Sequence, residues 1–158
     1  MKQVQKKLRS RRAMTLTEVL VAVIILSFVT LGVAAGVNAS LRVYRQSVAV
    51  SDAQTLSSTL SIAMMDELRY ARDVEGTAAP TFTSAARGAG VTFGTNGNGQ
   101  ITLGGEPLVG EGAYAGLTAG LSAFTYDAAA GFSVTLTISD SAGDEIRTID
   151  FSVRPLND

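Results

Sequence analysis

The chain has 158 residues, room for one domain plus a separate segment, and contains neither cysteine nor histidine. That excludes disulfides, thiol chemistry, the commonest general base and the commonest metal ligand. A net charge of −1 hides an asymmetry: six of the thirteen Lys and Arg fall in the first twelve positions, and residues 14–158 hold seven basic and fourteen acidic side chains, a formal charge of −7. A body this acidic does not favour direct nucleic-acid binding, which rewards phosphate neutralisation by Lys and Arg.

The first element is basic: Lys2, Lys6, Lys7, Arg9, Arg11 and Arg12 precede any acid. It leads through "RRAMTLTEVLVAVIIL" into a run with no charge from Val19 to Leu41. The core of that run, "VLVAVIILSFVTLGVAAGV", would rise about 28 Å as a helix, close to a bilayer's hydrocarbon thickness. The basic flank predicts a cytoplasmic N-terminus and a single-pass inner-membrane anchor with the remaining chain outside. A cleaved secretory signal would need a shorter apolar region and a cleaner A-x-A-like site than "VAAGVNAS". A plain signal anchor explains the flank and the run but not Glu18. An acid near the helix start can reach the interface and gains a few tenths of a kcal/mol, up to about 1, from the dipole's positive end.

The combination of basic leader, small residue, and acid five residues on, at the head of an uninterrupted apolar run, resembles the class III leader of type IV prepilins and type II secretion pseudopilins. The resemblance places the cut between Ala13 and Met14, where the family usually has Gly before the cut and Phe after it. It implies removal of residues 1–13 by a prepilin peptidase and N-methylation of Met14. It also implies an inner-membrane assembly platform and other pilin or pseudopilin subunits as partners, beside membrane lipid. Glu18 becomes the fifth mature residue. The freed Met14 amine is cationic below roughly pH 7.7–8, and in a low-dielectric surround a carboxylate holds it strongly. Two pairings stay open: Glu18 of a neighbouring subunit, which would set axial register, or Glu18 of the same chain, four residues along one helix face.

No proline occurs before Pro80. The apolar half of the helix spans 14–37. An amphipathic half follows over 38–74, with Leu41, Tyr44, Val48, Leu56, Leu60, Met64, Leu68 and Ala71 as the stripe. The helix is expected to reach Arg72 or Val74, with "EGTAAP" ending it. Gly32 and Gly36 are spaced for close helix approach, and each weakens the helix by about 1 kcal/mol, so Ser27–Gly36 is expected to loosen in a filament.

Residues 75–158 turn to Gly, Thr, Ser and Ala. "VTF" and "QITL" around "GTNGNG" predict a hairpin, and 121–127, 132–140 and 145–153 predict an antiparallel meander with one face for the helix. The fold class is therefore α+β: a long N-terminal helix packed on a small antiparallel sheet, the pilin architecture. The helix end and final meander also look like W-type minor pilins and J-type minor pseudopilins. Asp127, Asp140, Asp144 and Glu145 carry oxygen ligands that could suit calcium, with Asp140 and Asp144 the candidates singled out, but acids at hairpin ends are read as solvated turn residues and no metal is expected. The Gly-rich stretches lack the Lys and Ser/Thr of a phosphate loop. No cofactor and no enzymatic activity are expected. The function indicated is a structural subunit, more in keeping with a minor one, of a type IV pilus, competence pilus or secretion pseudopilus, extracellular or periplasmic once assembled. The alternative is a membrane-anchored extracellular binding module that never polymerises.

Overall fold

A computed structural model describes residues 15–156. One helix, α1, runs unbroken over Leu16–Arg69. By contacts the chain divides after Tyr44. The first unit holds the apolar part of α1, with every described side chain to Tyr44 exposed. The second unit, from Arg45 on, holds the rest of α1 and all the strands.

Nine strands follow: β1 Arg72–Glu75, β2 Thr81–Ser84, β3 Gly88–Val91, β4 Phe93–Thr95, β5 Ile101–Leu103, β6 Glu106–Pro107, β7 Thr118–Asp127, β8 Gly131–Ser139 and β9 Glu145–Val153. They form three antiparallel three-stranded sheets in sequence order, β1-β2-β3, β4-β5-β6 and β7-β8-β9. The fold is α+β, with three small sheets where one was expected.

In the second unit α1 contributes Ala53, Leu56, Leu60, Met64 and Leu68 to one core with Phe82, Phe93, Ile101, Leu103, Phe124, Phe132, Val134, Leu136 and Ile138. The helical period places those five residues on one face. At its heart Phe124 and Phe132 stack at 5.8 Å, with Phe82 set edge-on to both at 6.5 and 5.9 Å, arrangements that add to area burial. The expected stripe is therefore right from Leu56 through Ala71 and wrong earlier. Leu41, Tyr44 and Val48 are 47 %, 67 % and 40 % exposed, and within the second unit the core begins only at Ala53.

The helix also stops short of the expected end. Arg72 and Val74 belong to β1, and Asp73 takes a left-handed φ of 50°, which α-helix cannot accommodate. The last turn is closed by the C-terminal tail: Leu156 N–H donates to the Arg69 carbonyl at 2.9 Å, satisfying one of the carbonyls a helix leaves open. At the end of β2, Ser84 (3 % exposed) donates to Glu67 on α1 at 2.7 Å and accepts the N–H groups of Ala86 and Arg87. That hydroxyl fastens the β2–β3 turn to the helix.

The meander forms where expected, β9 over the predicted residues and β7 three residues longer at its start. The broken alternation of Ile146, Ile149, Phe151 and Val153 has a structural cause. Ile138 faces Arg147 and Ser139 faces Glu145, so Ile146 is the extra residue of a bulge. The outer edge of β7 is covered by the chain itself, through Ala79 N–H to Phe124 O, Tyr126 N–H to Thr77 O and Ala119 N–H to Gly99 O.

The hairpin around "GTNGNG" is β4–β5, with Phe93 opposite Leu103, while Val91 goes to β3. Asn96 organises its loop. Its Oδ1 accepts the N–H groups of Asn98 and Gln100 at 3.0 Å each, and its Nδ2 donates to Gln100 Oε1 at 2.8 Å, the local bonding that suits Asn to turns.

Candidate functional site

The start of α1 is built by Thr15. Its carbonyl accepts the N–H groups of Glu18 and Val19 at 3.0 and 3.2 Å, and its hydroxyl oxygen accepts Glu18 N–H at 3.3 Å. Thr15 is thus the N-cap, and Glu18 lies three residues on, in the first turn, beside the positive end of the helix dipole. Residue-by-residue reading of the charge missed this cap, although Thr15-x-x-Glu18 is the spacing of a capping box and could have revealed it. Glu18 is solvent-exposed.

From Val19 on, the helix presents apolar side chains on all sides: Phe28 is 71 % exposed, Leu31 67 % and Leu26 62 %. An all-round apolar surface has no use in water and suits burial in lipid or among other helices. Its two hydroxyl residues are satisfied within the helix, Ser27 donating to Val23 O at 2.8 Å and Thr30 to Ser27 O at 2.9 Å. Neither needs water, which removes most of the cost of placing them in hydrocarbon. This is the one described helix long and apolar enough to cross a membrane. The helix is continuous through Gly32 and Gly36, and a Cβ at either would meet nothing within 4 Å. No neighbour inside the described chain requires glycine at these positions.

Residues 8–34, which take in the basic leader's end and this helix start, match the family model for the prokaryotic N-terminal methylation motif. This is a prepilin-type leader. The leader implies processing by a prepilin peptidase and assembly with other pilin subunits, and with the apolar helix it supports a membrane-anchored, pilin- or pseudopilin-like subunit. No curated protein and no solved structure matches the chain.

The expected cleavage and methylation residues, Ala13 and Met14, lie outside the described residues, and so does one half of the expected Met14–Glu18 pair. Of the acids considered as calcium ligands, Asp127 and Asp140 are used by turns. Asp127 Oδ1 accepts Ala129 and Ala130 N–H at 2.8 and 2.9 Å, which holds its carboxyl below the usual carboxylate range, the Ala130 bond most strongly. Asp140 Oδ1 accepts Ala142 and Asp144 N–H in the same way, and Glu145 accepts the Thr148 hydroxyl at 2.7 Å. Among the described residues no three carboxylates come together as a metal site.

Proposed function

We propose that this chain is a structural subunit of a type IV filament, a pilus, competence pilus or type II secretion pseudopilus, and a minor one by the resemblance of its helix end and meander to W- and J-type proteins. The observation that carries the reading is the methylation motif set directly on an exposed, wholly apolar helix whose hydroxyls are self-satisfied. Residues 1–13 are removed at Ala13–Met14, the leader side being cytoplasmic. The apolar half of α1 waits in the inner membrane and then moves into the filament core, exchanging lipid for other subunits' helices. The role is mechanical rather than catalytic.

In this reading Glu18 of one subunit neutralises the methylated Met14 amine of its neighbour. Met14 directly precedes the Thr15 cap in sequence, and a cation is disfavoured at the positive end of a helix dipole. A carboxylate from the adjacent helix relieves both charges together as they leave the interface. Ser27–Gly36 loosens on packing, since two glycines and two back-bonded hydroxyls weaken this stretch. A filament map with unbroken helical density from Gly32 to Gly36 would overturn that last point.

Mass spectrometry of the native protein tests the main reading. A polypeptide beginning at Met14 and carrying a methyl group is the expected result. One beginning at Met1 would instead establish a membrane-anchored module that does not polymerise.

A further inference from the structure

A small cavity of about 240 Å³ opens between the β4–β5 loop and the 3₁₀ turn Glu111–Tyr114, lined by Gln100, Glu111, Tyr114, Gly116, Leu117 and Thr118 among others. Two of its walls are buried polar side chains with hydrogen-bonding capacity left over. Gln100 is 8 % exposed. Its Oε1 is taken by Asn96, which fixes the amide so that Nε2 carries the donors, and Nε2 meets no acceptor among the described residues. Every fully enclosed side-chain nitrogen and oxygen among those residues has a partner. Nε2 must therefore keep contact with solvent, and the cavity Gln100 lines supplies it. Tyr114, 4 % exposed, accepts Ile101 N–H at 2.8 Å, and its own hydroxyl hydrogen has no described acceptor. Burial pushes its phenol above the ordinary value, against the opposing Ile101 bond, so it remains a donor at neutral pH.

Gln100 and Tyr114 thus offer neutral donors, Glu111 an anionic acceptor, and Leu117 and Gly116 an apolar surface. This set selects by charge. An anion would meet Glu111 and the negative body. A cation would find one exposed carboxylate and two donors pointing the wrong way. A neutral ligand that carries both donors and acceptors on a small apolar frame satisfies all three groups, and the hydroxyls of a sugar ring do so. At about 240 Å³ the volume lies below the roughly 300–1,000 Å³ usual for ligand sites, which limits the occupant to a single such ring. The loop that carries Gln100 is fastened to β7. Gly99, at φ +68°, passes so close to β7 that a Cβ would lie 2.6 Å from Thr118 Cβ, and its carbonyl accepts Ala119 N–H at 2.7 Å.

We propose that this cavity is a binding site for one unit of a neutral saccharide, recognised through Gln100 Nε2, the Tyr114 hydroxyl and the Glu111 carboxylate. The site is independent of the helix that mediates assembly. The test is a titration of the full chain in detergent micelles with glucose, galactose and N-acetylglucosamine to 100 mM, read by the side-chain amide NMR signal of Gln100. One of the three sugars is expected to give a saturable shift. Gln100→Met, which lacks that amide and is followed instead at the backbone amide of Gly116, and Glu111→Gln should each weaken binding at least tenfold while the backbone spectrum stays folded. Glu111 is exposed, so its variant keeps the test open if Gln100→Met fails to fold. The proposal is overturned if no sugar gives a saturable shift, if acetate or glycine binds as well, or if Glu111→Gln binds unchanged.

Discussion

Glu18→Gln is expected to reduce incorporation into filaments by about two orders of magnitude or more, with membrane insertion unchanged. Removing one partner of a buried ion pair costs about 3–5 kcal/mol, because the other charge stays behind unpaired. At about 1.4 kcal/mol per decade that exceeds a hundredfold. Glutamine keeps the size and the hydrogen-bonding reach of the side chain, so a defect traces to the charge and not to the helix start that Thr15 caps. The measurement is the fraction of subunit in sheared filaments against total membrane subunit. Equal fractions for Glu18→Gln and the unaltered protein would remove the charge-pairing mechanism while leaving the prepilin-type leader in place.

Gly131→Ala is expected to destabilise the globular unit by about 3 kcal/mol, enough to abolish a large part of a small domain's margin. Gly131 opens β8 at φ +89°, a left-handed conformation that costs an L-residue roughly 1–2 kcal/mol. A Cβ there would also stand 2.5 Å from the Val153 carbonyl oxygen and 3.0 Å from Arg154 Cα. Both are backbone atoms and cannot swing aside, so the β8–β9 register must shift, at about 1–3 kcal/mol more. Urea unfolding of the full chain in micelles, followed at the meander, checks this. Gly112→Ala is the control, as it has open space and no left-handed φ. A Gly131→Ala midpoint equal to the control's would refute the steric account.

Much of this protein was legible along the chain because its strongest signals are local. Charge asymmetry, the Glu18 spacing and an unbroken apolar run need no folding to be read. Period-2 alternation from Phe132 to Ile138 likewise fixes which side of β8 is buried. Three features were not legible, each because it depends on residues far apart in sequence. The end of α1 at Arg69 is decided by β1 joining β2 and by Leu156 reaching back to the Arg69 carbonyl. The exposure of Val48 is decided by where the core of the globular unit begins, at Ala53, which periodicity alone cannot show. The cavity at Gln100 is invisible in "GTNGNGQ", since its walls come from segments more than ten residues apart.

The sequence by itself carried the leader and the membrane signal: a basic leader, an acid near the head of a lipid-length helix and a matching methylation motif are one-dimensional properties, of the kind that a peptidase and a membrane read. Only the tertiary structure decided how the acidic body is organised, into three three-stranded sheets around a core to which α1 contributes Ala53 to Leu68, and which polar groups it leaves unspent. The physical reason is the range of the forces involved. Hydrophobic insertion and charge act on a contiguous segment, whereas strand pairing and the fate of a buried amide such as Gln100 are settled only when distant parts of the chain compete for the same hydrogen bonds.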